Sequence, residues 1–430
     1  MIVVFGGSSA KIDLFRFHLK EFGFNLFSIP MNDRLLLANA EKDIFNDLSQ
    51  KNGQIVSVMS MIDSLVPLAD RLSQKMGLSG NDPKTSQNRC DKFAMQKALK
   101  NFINQSTSEA IHTRPYGVRL LETYECSSVG EGLKIWNELF HNNPVVLKPP
   151  KSGGCDGVHL CMTESEISNS IVSELGRVNI ESIKNDSLIL QEYLEPEGRV
   201  DFVVNTVSSN GKHMVTDIWM SVSKDVDKSG RFLYEKQELV NEGMDISNVV
   251  DFAFLVLEAV GMKFGPAHLE ISSQKNQFSL IEINARIAGE VRTSNLPKYV
   301  WNFKDQLYWL SKSIADPLFP HRIAEPFPIP TSSMRVILVF LKCPLDTGYL
   351  YFHQFLSLRS FFRFGRGLNV INGYLKNQKF LKSIKLPKVV QTVDLLSCPG
   401  VVILIGESAE SDAYTIRRWE AESGRLYRVG

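Results

Sequence analysis

The sequence predicts an α/β protein that turns α+β in its C-terminal part. Apolar strand runs alternate with helical periodicity over the first sixty residues, and the same rhythm resumes over 118–195. From residue 200 the pattern becomes antiparallel. At 430 residues the chain exceeds one ordinary domain.

The elements follow in order. Ile2–Phe5 reads as a buried strand ending at Gly6-Gly7, 10–22 as a helix, Asn25–Ile29 as a strand, 39–51 as a helix and Gln54–Met61 as a third strand. This βαβαβ rhythm implies a parallel sheet, and the missing G-x-G-x-x-G argues against a nicotinamide site. A polar loop over 77–88 is expected to link lobes. Asp91–Phe102 carries Phe93, Ala94, Ala98 and Leu99 at helical spacing, with Asp91 placed to start the helix. Val203–Ser208 and His213–Trp219 flank Asn210-Gly211, a type I′ hairpin signal. A helix is expected over 245–260, strands at Lys263–Ser272 and Phe278–Asn284, and mixed structure beyond 320 with strands near Met334–Leu341 and Val401–Ile405.

Composition narrows the function classes. Lys and Arg number 48 against 47 Asp and Glu, a balance that gives no sign of general nucleic-acid or membrane affinity. Six cysteines are scattered without C-x-x-C spacing, which argues against a zinc site and suggests reduced thiols in a cytoplasmic protein. The N-terminal run reads as a strand and not a signal peptide, and no apolar run approaches the roughly 20 residues of a membrane helix.

Three segments carry chemistry. Val145–Lys148 delivers a lysine to the loop Ser152-Gly153-Gly154-Cys155-Asp156-Gly157. Glycines let backbone N–H groups approach phosphate oxygens, and the lysine adds countercharge; an ordinary turn with a surface lysine is the bland alternative. Gln191-Glu192-Tyr193-Leu194 follows a strand at a lobe junction, where backbone groups can pair with an adenine edge; a plain strand end fits equally. The sharpest segment places His268 and Glu270 on one face of a strand, and Glu282, Asn284 and Arg286 on one face of the next. If the strands pair, two carboxylates and an amide oxygen converge as hard ligands for Mg²⁺, with Arg286 positioned for a transferring phosphoryl group. A solvated polar strand is the alternative, made less natural by Leu280, Ile281, Ile283 and Ile287 around these charges.

Taken in succession, these residues resemble the ATP-grasp superfamily, and within it the carboxylate–amine ligases called L-amino acid ligases. The resemblance covers nearly the whole chain. Its most specific stretches are Lys148–Cys161, Gln191–Leu194, the hairpin Thr206–Trp219, Gly265–Glu270 and Glu282–Gly289. It implies a Rossmann-like N-terminal lobe over 1–115, a small central lid lobe over 116–195, a catalytic lobe over 196–320 and a C-terminal extension over 321–430. It implies ATP and Mg²⁺ (or Mn²⁺) as cofactors. Lys92 and Lys148 would contact phosphates, Ser152 and Gly153–Gly157 would close over them, and Gln191, Glu192, Tyr193 and Leu194 would line the adenine pocket. Asp201 stands where the family has a ribose-binding glutamate. Glu270, Glu282 and Asn284 would hold the metal, Arg286 would stabilise the acyl-phosphate step, and His268 would help place the substrate. Cys155 replaces a common Ser or Thr, and Glu290-Val291-Arg292 replaces a glycine continuation, so substrate identity does not carry over.

The resulting expectation is an ADP-forming ligase joining a small carboxylate to an amine, with no nucleic-acid or membrane partner and a homodimer as the default assembly. Three rivals were weighed: a carboxylase acting on bicarbonate, a catalytically silent nucleotide-binding module, and nucleic-acid binding through the basic-aromatic stretch Arg359–Gly367.

Overall fold

The structure, a computed structural model, describes residues 1–37, 39–51, 53–105, 114–226, 230–241, 244–289, 300, 304–316, 318–319, 335–350, 361–365, 388–394, 397–422 and 424–428. Contacts divide the chain into two compact units. The first comprises Met1–Gly153, Cys161–Ile218 and Asp245–Pro328; the second comprises Gly154–Leu160, Trp219–Met244 and Ile329–Gly430.

The first unit opens with a parallel sheet ordered Leu26–Ile29, Ile2–Phe5, Ser57–Ser60. The central strand is fully buried, and its alternation feeds two cores. Ile2 and Val4 pack with Phe15, Leu19 and Leu307, while Val3 and Phe5 pack with Ile44, Leu65 and Leu72. Ser8 caps the helix Ser9–Glu21 by accepting from the Lys11 N–H. The helix Gln306–Ala315 buries Trp309 against Phe319, as packing aromatics do; Trp301 lies outside the described residues.

The stretch expected as a linking loop over 77–88 is structured. Asp82 accepts from the Lys84 N–H and Pro83 presets the backbone, so Pro83–Arg89 forms a 3₁₀ helix. It buries Arg89 completely, with the guanidinium 2.7 Å from Asp70 and donating to the Val260 and Gly261 carbonyls. The next helix, Lys92–Gln105, is started by Asp91, whose side chain accepts from the Phe93 and Ala94 N–H groups. Its buried face is Lys92, Met95, Gln96 and Leu99, at i, i+3, i+4 and i+7, rather than the expected stripe of Phe93, Ala94, Ala98 and Leu99.

A smaller sheet pairs Leu188–Glu192 with Thr123–Cys126 on one side and Val145–Lys148 on the other, all antiparallel. Cys126, Trp136, Leu147, Ile167, Ile171 and Leu190 form its core. The remaining framework is Arg199–Ser209 beside Gly265–Gln274 beside Gln277–Asn284. Asn210 and Gly211, at φ of 52° and 71°, make the hairpin turn that the sequence signals. A second two-residue turn, Lys275-Asn276 at 52° and 58°, brings Gln277–Asn284 back antiparallel without any glycine.

In the second unit Val336–Phe340 lies between Phe232–Leu239 and Val401–Ile405, and Phe361–Gly365 pairs with the far side of Val401–Ile405. The helix Ala409–Ala421 contributes Ile416 and Trp419 to this core. Of the basic-aromatic stretch only 361–365 is described, as strand backbone; Arg359, Ser360, Arg366 and Gly367 lie outside the described residues, as do Glu290, Val291 and Arg292. All six cysteines are free thiols, five of them buried and Cys155 half-buried. Among the described residues no helix is long and apolar enough to cross a membrane.

Candidate active site

The strands Gly265–Gln274 and Gln277–Asn284 pair so that Glu270 faces Glu282 and His268 faces Asn284. A register shift follows Glu270, leaving Ile281 without a direct opposite. On the other side Arg199–Ser209 places Asn205 opposite His268 and Asp201 opposite Ser272. Period-two alternation therefore gathers His268, Glu270, Glu282, Asn284, Asn205 and Asp201 on one face of three strands.

Lys92 completes this face from the first turn of its helix. Gln96 Nε2 donates to the Leu280 carbonyl and the Ile283 N–H donates to Met95 Sδ, which docks the helix on the strand. Lys92 Nζ then lies 3.0 Å from Glu282 Oε2 and donates to the Ser152 carbonyl at the start of the glycine loop. Burial works against the ammonium, but Glu282, with Asp63 and Glu270 beyond it, outweighs burial and holds the Lys92 pKa above the ordinary lysine value. The other Glu282 oxygen accepts from Asn284 Nδ2 at 3.0 Å, so the Asn284 amide turns its oxygen away from Glu282.

Two carboxylates and one amide oxygen are hard donors that suit Mg²⁺ or Mn²⁺. Among the described residues no group of three or more His, Cys, Asp and Glu could hold a metal. The oxygen set fits an ion that takes its remaining ligands from phosphate and water.

His268 is oriented by a chain of buried partners. Asp217 accepts from Asn205 Nδ2, which turns Asn205 Oδ1 toward His268 Nδ1 at 2.8 Å. An ionised Asp217 can only accept, so the order Asp217, Asn205, His268 puts the imidazole proton on Nδ1. Neither Asn205 nor Asp217 was singled out from the sequence, although Asn205 has the same strand parity as Asp201.

Arg286 follows the strand end. Its Nε donates to Asp63 Oδ2 at 2.6 Å and its Nη1 to the Ile287 carbonyl. Burial disfavours the guanidinium, yet Asp63, Glu181 and Glu282 keep its pKa above the usual arginine value. Asp63 lies 223 residues away in the chain, at the start of a short 3₁₀ turn, and nothing in the local sequence marks it.

The remaining expected residues divide. Lys148 is buried, and its ammonium donates to Gln191 Oε1 at 2.8 Å while Gln191 Nε2 donates to Thr123 Oγ1. Glu192 pairs with Arg119 at 3.0 Å and accepts from the Glu122 N–H. Leu194 is buried and its carbonyl accepts from Arg199, which also forks onto Asp201 at 2.7 and 2.6 Å. Tyr193 is half-buried, and burial pushes its hydroxyl pKa up. Ser152 and Gly153 belong to the first unit, whereas Gly154, Asp156 and Gly157 belong to the second. Cys155 sits at φ of 65°, a left-handed conformation that L side chains rarely adopt, between Gly154 at 63° and Gly157 at 72°.

Comparison with known proteins bears on this arrangement. The profile of the ATP-grasp domain matches residues 141–294, which include Lys148, the glycine loop, Gln191–Leu194, His268, Glu270, Glu282, Asn284 and Arg286. The chain is 27% identical over 271 residues to dapdiamide A synthase of Enterobacter agglomerans. That match takes in 60% of this chain and spans 58% of the synthase. An L-amino acid ligase from Bacillus licheniformis superposes over 100% of this chain and 98% of its own, at a TM-score of 0.64 and 13% identity. The biotin carboxylase domain of Hydrogenobacter thermophilus 2-oxoglutarate carboxylase, solved with MgADP and bicarbonate, covers 100% of this chain and 90% of its own, at a TM-score of 0.57 and 14% identity. The chain has the ATP-grasp fold and belongs to the ATP-grasp superfamily.

Proposed function

We propose that the chain is an ATP-dependent ligase that joins a small carboxylate to an amine through an acyl phosphate, releasing ADP and phosphate. The observation that carries this reading is Glu270 facing Glu282 across paired strands, with Lys92 ion-paired to Glu282 and Arg286 two residues past Asn284. The likeness to an amide-forming synthase is the supporting comparison. In this reading 1–115 is the N-terminal lobe, 116–195 the lid lobe, 196–320 the catalytic lobe and 321–430 an extension.

A carboxylate is a poor electrophile at neutral pH, and phosphorylation turns one of its oxygens into a leaving group. Lys92 and Lys148 are buried cations, each with a polar partner that fixes its direction, and they offset charge on the ATP phosphates. Glu270, Glu282 and Asn284 hold Mg²⁺, which would neutralise phosphate charge when bound. Gln191, Glu192, Tyr193 and Leu194 receive the adenine, and Asp201, steadied by Arg199, faces the ribose. The γ-phosphoryl passes to the carboxylate oxygen, the free amine attacks the acyl carbon, and phosphate departs with the C–O electron pair. Arg286 stays charged throughout and stabilises the oxyanion; Asp63 holds it in place. His268, fixed through Asn205 and Asp217, positions the substrate.

The test is a matrix of amino-acid pairs scored for phosphate release, with mass spectrometry of products and hydroxylamine trapping of the activated acid. ADP, phosphate and an amide are expected. Formation of AMP, or ADP release that depends on bicarbonate and no amine, would overturn the reading.

A further inference from the structure

Beside the residues assigned to ATP and metal lies a cavity of about 110 Å³ lined by Asp63, Ser64, Cys90, Lys151, Glu181 and Asn284, among others. That volume suits a small polar head group; pockets that hold larger ligands run to roughly 300–1,000 Å³. Asp63 is more than nine-tenths buried, and its Oδ1 finds no hydrogen-bond partner among the described residues. Its other oxygen is taken by Arg286. Glu181 enters from the 176–185 turn and accepts from the Ser64 N–H and hydroxyl at 3.4 and 3.0 Å.

The charges do not balance. Arg286 offsets one carboxylate of the pair Asp63 and Glu181, and Lys151 is already paired with Asp91 at 3.7 Å. Cys90 brings no charge, because burial and then Asp63 push its thiol up to about 12. Burial and then repulsion from Asp63 raise the Glu181 pKa, the signature of two like charges waiting for a cation. A buried acceptor without a donor, in a cavity with one excess negative charge, calls for a group with several N–H donors and a single positive charge.

We propose that Asp63 and Glu181 form a subsite for the protonated amino group of an amino-acid substrate, seating it beside Arg286 and Asn284. The proposal rests on the ligase reading and sharpens it: a substrate carries an ammonium near its reacting group, which bicarbonate and simple carboxylic acids lack. Ser64 holds Glu181 in register, so the subsite joins side chains 118 positions apart, from Asp63 to Glu181.

The test compares the amino acid giving the fastest phosphate release with its des-amino acid, in the wild type and in Glu181→Gln. Gln keeps the Ser64 hydrogen bond and removes the charge, and a thermal melt checks folding. Wild type is expected to favour the amino acid. In Glu181→Gln its KM should rise about tenfold or more, with KM for ATP and turnover of the des-amino acid little changed. An unchanged amino-acid KM, with ligase turnover intact, overturns the subsite and leaves the ligase reading standing. If bicarbonate and no amino acid supports ADP formation, the ligase reading falls. The subsite is then judged by calorimetric titration with glycine: weaker binding to Glu181→Gln than to wild type upholds it, and equal or absent binding overturns it.

Discussion

The strands Val336–Phe340 and Val401–Ile405 are buried and apolar at every position. Gly265–Gln274 and Gln277–Asn284 pair in the same antiparallel way, yet they bury His268, Glu270 and Asn284 among Leu269, Ile271 and Ile283. The first pair converts apolar area directly into stability. The second must compensate each buried polar group, and it does so with Lys92, Asn205 and Asn284. One pair holds the second unit together, and the other spends stability to hold charges on one face of the first unit. That difference separates framework from chemistry more sharply than secondary structure does.

Substitutions can break or sharpen the contrast. Glu282→Gln should show the largest effect: turnover falls on the order of a thousandfold or more, read by phosphate release. The variant also strands Lys92, and losing one partner of a buried pair costs about 3–5 kcal/mol, measurable by denaturant titration. Arg286→Ala should lower kcat by roughly 10²–10³ while nucleotide affinity stays near native. Equal loss of ATP affinity would move Arg286 out of its assigned role.

Ile403→Ala inverts the pattern. It should cost about 2–5 kcal/mol of stability, with kcat per folded molecule unchanged. A large kcat effect there would erase the distinction between the two strand pairs.

Glu181→Gln should have the smallest effect on the ligand-free fold. The wild-type carboxyl ionises near 4.5 in the unfolded chain and at higher pH in the folded one. Below 4.5 both states are protonated and the substitution is nearly neutral. As pH rises above that value the unfolded state ionises first, so the folded wild type bears the cost. The variant should therefore melt roughly a degree or two higher than wild type at pH 7, and the gain should shrink toward pH 4.

Much of this was legible from local pattern. Glu270 and Glu282 could be placed on strands because alternation and flanking apolar residues announce a half-buried sheet. Asn210-Gly211 announced its turn because both positions need positive φ. Lys275-Asn276 gave no such signal, since its conformation is imposed by the strands it joins. The helix beginning at Lys92 was legible, but its buried face was not. Phe93 and Ala94 look like core residues, whereas docking on Gln277–Asn284 turned Lys92 and Met95 inward instead.

By itself the sequence determined the α/β character, the order of lysine, glycine loop and acidic strands, and the chemistry those side chains can perform, because periodicity and residue type are local properties. Only the tertiary structure decided that Asp63 holds Arg286, that Asp217 sets the proton on His268 through Asn205, and that Glu181 faces an unpartnered carboxylate. Those contacts join residues far apart in the chain, and no local pattern encodes which distant side chain will satisfy a buried charge.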